Sequence, residues 1–417
     1  MIKILFFLSF FIITGITPIP YGNIGNYYVE GQYMQSPHPG SSSAFGRSVS
    51  LNDDGNYLGV GASIQLPGGS GHVFKRKNHQ LWWEVFFTGS PNPGGSGDYG
   101  NANSLSGDGS WMVMGAYGED TNGSASGRAY IYERIGETWS LNASLLPPVG
   151  AANWWFGWNV AISKDGNWAL VAATQEPSGT GTGRVYVWSR LGSVWTYETV
   201  LERVNNGQFG GGLALSADGS YALIGAHTTN NGSVTSGRVF GYSRVGSTWT
   251  YEAQLDTNGG VIAGAFGRHI SLSDDGLRAL ISAYGETFTS TTAGRVHHYT
   301  RSGTTWTRVN VFGSPSQIAA GNFGASMDMS SDGTRAIIGA PGETAQGFTK
   351  AGRGYYFKRS GTTWTMNKSF ESVVPAINRS FGNYSAISFD GSTGVFSCTP
   401  EPVPLSGAGR IYIYELH

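Results

Sequence analysis

Five glutamates, Glu119, Glu176, Glu286, Glu343 and Glu401, each stand three residues beyond a short apolar run that ends in Ala or Cys. A partial ring of carboxylates would suit a cation or a basic partner. The competing arrangement is internal, because each glutamate is followed by an arginine that opens the next apolar run: Arg128, Arg184, Arg295, Arg353 and Arg410. That constant company makes an ion pair within the repeat the expected arrangement, and an exposed pair contributes only about 0–1 kcal/mol. Glu119, Glu286 and Glu343 remain candidate ligand contacts. They are also the only repeated carboxylates open to a glycosidase-like reaction, which needs two carboxyls roughly 5–10 Å apart.

Aromatic side chains are the second resource. Trp154 and Trp155 precede the repeated Phe156 without belonging to the repeat. An indole face stacks on a sugar ring or anchors a protein contact, or else it covers a neighbouring core. Tyr117, His227 and Tyr284 share one position just after the apolar runs, where a polar-tipped aromatic can offer a hydrogen bond to a ligand; edge packing is the alternative. His297-His298 is not a metal pair, since neighbours in a strand point to opposite faces, so one is expected in the core and the other on the surface. Cys398, the only cysteine, takes the place held elsewhere by Ala62, Ala116, Ala226 and Ala340, which predicts a buried small side chain and no internal disulfide. The sequence holds no H-E-x-x-H, Walker A or C-x-x-C motif. Ser106–Trp111 and Ser163–Trp168 approach a sialidase Asp box but lack the residue between Asp and Gly. No catalysis, metal or cofactor is expected.

Positioning these groups is the work of a repeat. Asp-Gly occurs at Asp54, Asp108, Asp165, Asp218, Asp275, Asp332 and Asp390, at spacings of 54, 57, 53, 57, 57 and 58 residues. In the fourth copy Phe209-Gly210 opens strand A, Asp218-Gly219 makes a hairpin into strand B at Tyr221–Ala226, Gly237-Arg238 starts strand C, and Trp249–Leu255 forms strand D. Gly accepts the positive φ of such hairpins without steric cost. Strand B is apolar on both faces, as in Ala336–Ala340, so both faces must be covered. A ring of four-stranded antiparallel units meets that demand, and seven copies predict an all-β, seven-bladed propeller. The seventh copy ends at His417 without a strand D. Tyr27–Tyr33 aligns with Trp249–Leu255 through its Glu and Gln, and is expected to complete that blade and close the ring.

Charged residues are 13% of the chain against a usual figure of about 25%, and the net charge is −1, which leaves no footprint for a phosphate backbone and excludes nucleic acid as a partner. Met1-Ile2-Lys3 followed by apolar Ile4 to Ile13 reads as a secretory signal over residues 1–20, with a short uncleaved anchor as the alternative. Residues 21–417 form one propeller domain. Secretion or display on a particle surface follows from that reading.

With Phe323-Gly324 and, further on, Gly339-Ala340-Pro341, the repeat resembles the FG-GAP family, which includes the N-terminal propeller of integrin α chains. The likeness spans residues 21–417 and implies adhesion or ligand recognition. Some family repeats carry a D-x-D-x-D-G calcium loop between strands A and B. Here Asn52–Gly55 and Asp274–Gly276 have adjacent carboxylates and the other five turns a single Asp, whereas Ca²⁺ takes six to eight oxygens, so turns without metal are expected. The A–B and C–D turns are short and uniform; the B–C and D–A connections are long and varied. Recognition of a protein or glycan is therefore expected on the B–C/D–A face, with a structural subunit of a virion or appendage as the alternative.

Overall fold

A computed structural model describes residues 33–38, 44–78, 81–92, 97–177, 181–203, 207–231, 234–257, 264–287, 292–399 and 409–416. The signal segment, Tyr27–Gln32 and Glu401 lie outside them. Blade 1 comprises strands Phe45–Leu51, Tyr57–Ala62, Ser70–Asn78 and Leu81–Gly89; blade 2, Gly97–Leu105, Trp111–Gly118, Arg128–Ile135 and Thr138–Leu145. Blade 3 follows with Phe156–Ile162, Trp168–Ala173, Arg184–Leu191 and Val194–Glu202, and blade 4 with Phe209–Leu215, Tyr221–Ala226, Arg238–Val245 and Thr248–Leu255. Ile270–Leu272, Arg278–Ala283, Arg295–Ser302 and Thr305–Gly313 make blade 5; Ser326–Met329, Arg335–Ala340, Arg353–Ser360 and Thr363–Phe370 make blade 6. Blade 7 joins Phe381–Ile387, Thr393–Cys398 and Arg410–Glu415 to Tyr33–Met34 from the other end of the chain. The seven-bladed propeller and its closure are thus as the repeat predicts.

The closing strand is offset by one residue from the sequence alignment. Met34 pairs with Ile411, where Leu255 pairs with Val239 in blade 4, so Met34 and not Tyr33 fills the Leu255 position. Side chains alternate across a strand, and a one-residue slip exchanges their faces. In the observed register Met34 is buried with Phe45 and Ile411, while Tyr33 lies 3.8 Å from the Arg410 guanidinium.

Strand B is buried along its whole length in blades 1, 4 and 7 and at all but one residue in the other four, because each blade packs on two neighbours. The blades approach to backbone contact. A Cβ on Gly225 would stand 1.8 Å from the Gly267 carbonyl oxygen, and Gly61, Gly115 and Gly339 meet Gly100, Gly157 and Gly382 in the same way at 1.8, 2.0 and 1.9 Å. The second glycine of each pair follows the repeated aromatic and has φ between 85° and 90°, a conformation that side-chain-bearing residues avoid. At the same seam, the glycine opening strand C touches the aromatic backbone of the next blade, from Gly127 on Phe156 to Gly409 on Phe45 across the closure.

The opposite end of the ring is laced by the A–B turns. Backbone N–H groups of Asp53, Gly107, Asp165, Ala217, Asp274, Ser331 and Phe389 donate to the carbonyls of Gly107, Lys164, Ala217, Asp274, Ser331, Phe389 and Asp53, at 2.8–3.1 Å. Each turn is itself braced. In blade 4 Ser216 Oγ donates to Asp218 at 2.8 Å and accepts the Tyr221 N–H at 2.9 Å, while Asp218 accepts the Ser220 N–H.

Gly225→Ala is expected to lower unfolding free energy by about 3 kcal/mol, the upper range for overpacking. Gly136→Ala, at a turn with φ 63° and open space around it, should cost only about 1 kcal/mol, for its left-handed backbone. Urea titrations of both variants measure the difference.

Candidate functional site

Strand A of every blade lines a central channel of about 320 Å³, at the lower end of the roughly 300–1,000 Å³ of small-molecule sites. Its two mouths differ. At the A–B mouth, Lys164 reaches across the hydrogen-bonded ring with its ammonium 2.9 Å from Asp53 and 3.1 Å from Asp274, and 4.7 Å from the Phe389 ring centre. Burial pushes the Asp274 carboxyl up, and Lys164 draws it back. Deeper in, Asp328 accepts the N–H groups of Met329 and Ile387 and the Ser271 hydroxyl, so one carboxylate ties blades 5, 6 and 7.

At the loop-face mouth, the residue after the Phe-Gly or Tyr-Gly pair lines the channel in four blades, as Arg47, Asn101, Trp158 and Arg268. Three of these are large: Arg47, Trp158 and Arg268. The Arg47 guanidinium lies 5.1 Å from the Tyr384 ring and that of Arg268 5.9 Å from Trp158. Arg268 donates to the Gly211 carbonyl at 2.8 Å. Trp155 stacks on Trp158 at 5.2 Å, and Tyr117 sets its ring edge-on to Trp158 at 4.7 Å. The loop that carries Trp155 is held to blade 2 by hydrogen bonds from Asn153 and Trp155 N–H to the Ser124 and Ala125 carbonyls; both donors have left-handed φ, 59° and 56°. The Tyr117 hydroxyl is pushed up to about 12 by burial and then by the Asp98 carboxylate beside it. His227, packed against Gly211, is brought down to about 3 by burial and by Arg268. Burial also holds His269 well below its ordinary range, helped by Arg268, His227 and Arg47.

Of the sequence candidates, Tyr117 and Trp155 therefore meet at this mouth, and His227 and Tyr284 stand within electrostatic reach of Arg268. Trp154 is half-buried beside them, its carbonyl accepting the Gln175 N–H. Arg47, Trp158, His269, Tyr384 and Arg268 were not singled out from sequence. Their common signal is a large side chain on strand A, in three cases directly after the Phe-Gly pair, where other copies have Gly, Ala or Asn.

The glutamates have a different place. Glu119, Glu286 and Glu343 are buried between strands B and C and do not face the channel or the loop surface. Tyr130 donates to Glu119 at 2.7 Å, Tyr186 to Glu176 at 2.8 Å and Tyr355 to Glu343, while His297 lies 2.6 Å from Glu286. The arginine pairing holds for Glu119, Glu176 and Glu286. In blade 6 Arg353 turns to Glu371 instead, and Ser314 satisfies Glu343. Burial holds the Glu119, Glu176 and Glu343 carboxyls above their usual range against those hydrogen bonds. The backbone carbonyls of Glu119, Glu176, Glu286 and Glu343 also accept the N–H of the glycine that opens strand C. Each glutamate is thus the anchor of a B–C loop.

His297 and His298 do point to opposite faces, but neither is at the surface. His298 is buried with its ring edge on Trp364 of the next blade, because a propeller blade has no free face. Cys398 is buried. Among the described residues, no cluster of three or more His, Cys, Asp or Glu side chains could hold a metal.

Seven four-stranded blades around a channel make this chain a β-propeller. The FG-GAP repeat family profile matches residues 91–132 and 139–188, across blades 2 and 3, and the glycine seam that continues round the ring is consistent with an FG-GAP propeller. No curated protein is detectably similar in sequence. Among solved structures, the Cps50 (Swd1) β-propeller domain of Myceliophteria thermophila superposes with a TM-score of 0.59 at 10% identity, over 93% of this chain and 99% of that one. A functionally unknown protein of Desulfotomaculum acetoxidans gives 0.53 at 13%, over 87% and 100%. A Bacteroides uniformis protein named as a candidate 6-phosphogluconolactonase gives 0.55 at 13%, over 80% and 86%. At such identities the likeness is one of fold.

Glu119→Gln should leave stability within about 1 kcal/mol of the parent, because blade 1 already uses Gln65 at this position, bonded to Ser70 and His72. Glu119→Ala strands Tyr130 and Arg128 and is expected to cost about 3 kcal/mol. Thermal and urea unfolding of the two variants separate the cases.

Proposed function

We propose that this chain is a non-catalytic recognition propeller, secreted or displayed on a particle surface, which binds a protein or glycan through its B–C/D–A face. The observation that carries this reading is the difference between the two ends of the channel. One end is laced by a backbone ring and spanned by Lys164. The other collects Tyr117, Trp155, Trp158, His227, Arg47 and Arg268, half-buried side chains of the kind that dominate binding hot spots. Export rests on the Met1–Ile13 pattern. Absence of a catalytic role rests on the burial of the repeated glutamates in loop anchors and on the FG-GAP repeats, whose family acts chiefly in recognition.

Trp155→Ala and Tyr117→Ala are expected to abolish binding in a glycan array and a cell-surface capture assay, with the circular dichroism spectrum unchanged. Retained binding in both variants would remove the loop face as the site.

A second reading, a subunit of a larger assembly, draws on another surface. The C–D turns of three adjacent blades expose Ile135, Leu191, Val194 and Val245 at 67–88%, whereas the equivalent turns of blades 5 and 6 carry Ser302-Gly303-Thr304 and Ser360-Gly361-Thr362. Light scattering of the full chain and of the Leu191→Asp/Val245→Asp variant tests it: assembly by the parent and a monomeric variant favour this reading, and a monomeric parent rejects it.

A further inference from the structure

Two guanidinium groups facing one narrow channel repel each other, yet no carboxylate among the described residues stands within ion-pair distance of Arg47 or Arg268. Among the described residues Arg268 makes one side-chain hydrogen bond, to Gly211, and Arg47 makes none, out of five donors each. Both are half-buried, line the channel and are backed by a ring, Tyr384 behind Arg47 and Trp158 behind Arg268, which orients them. Asp98, beside Tyr117, acts on Arg47 through its charge. The mouth therefore has spare positive charge and spare N–H donors.

Uncharged hydrogen-bonding groups stand beside these cations. His269 lines the channel, and Nδ1 of His227, which packs against Gly211, is buried without a partner among the described residues. Buried polar atoms are rarely left so, and an orphan beside a cavity leaves room for an ordered water or a ligand group. Burial and the two arginines keep both imidazoles neutral, able to donate and to accept. Trp155, Trp158 and Tyr117 add an apolar platform.

Resting on the recognition reading above, we infer that the loop-face mouth of the channel binds a sugar acid, with Arg47 and Arg268 holding its carboxylate and the Trp158 cluster taking its ring. Guanidinium groups match a carboxylate in charge and in fork geometry. An aromatic face takes the C–H face of a sugar, and neutral imidazoles suit its hydroxyls. The channel volume of about 320 Å³ admits a terminal residue and not a folded partner.

Calorimetric titration of the full chain with sodium glucuronate, glucose and sodium sulfate at constant ionic strength tests this, with intrinsic tryptophan fluorescence as a second readout. Glucuronate should bind and perturb the fluorescence, and glucose should bind at least tenfold more weakly. Arg268→Gln should weaken glucuronate at least tenfold, and Arg47→Gln/Arg268→Gln should abolish it. Both variants should melt no lower than the parent, since a like-charge pair has been removed. Glucuronate bound no more tightly than sulfate would overturn the sugar-acid assignment, and so would glucuronate affinity unchanged in the double variant. Failure here with loop-face binding still lost in Trp155→Ala would reject the sugar-acid site alone; failure of both assays would reject the recognition reading as well.

Discussion

Everything in this propeller depends on how closely neighbouring blades approach. Three glycines per repeat remove side chains where one blade's backbone meets the next: one within strand B in most blades, one after the repeated aromatic, and one at the start of strand C. With a carbonyl oxygen less than about 2 Å from where a Cβ would stand at Gly61, Gly225 and Gly339, no side chain fits. Close approach near the axis lets the outer strands splay and carry large aromatics, as Tyr186 and Trp188 do on strand C of blade 3. It also brings strand A of all seven blades around a channel narrow enough for side chains from different blades to meet.

Polar groups at these seams follow the same geometry. A glutamate buried at the end of strand B would carry a severe desolvation cost alone, and the hydroxyl or imidazole two residues into strand C meets it. Arginines near the end of strand C form a second seam: Arg134, Arg190, Arg244 and Arg301 lie 3.7–4.5 Å from Tyr57, Trp111, Trp168 and Tyr221 of the preceding blade. The first three also donate to the carbonyls of the A–B and C–D turns. These contacts tie the short-turn face together, whereas the channel-lining arginines collect at the other end.

Much of the fold was legible in the residues. The Asp-Gly register, the doubly apolar strand B and the missing last strand D specify seven blades and their closure, because hairpin chemistry and face coverage are local demands. The closing register was not legible: matching Glu and Gln placed Tyr33 where Met34 stands, since the choice between faces is made by Phe45 and Ile411. The glutamates were half legible. Their arginine partners lie a few residues away along the same loop, but burial, and the tyrosines that complete each anchor, follow from the packing of whole blades.

The candidate site divides in the same way. Position in the repeat singled out Tyr117, His227 and Tyr284, which share one place after strand B, and Trp155, which stands outside the repeat before Phe156. Arg47 and Arg268 are 221 residues apart in sequence, and no local pattern relates them. Only closure of the ring sets both against one channel beside Trp158 and two neutral histidines. The sequence by itself determined the architecture, because strand, turn and glycine preferences act within one repeat; the tertiary structure decided which charges face one another, because in a closed ring the residues that meet across the axis come from blades far apart in the chain.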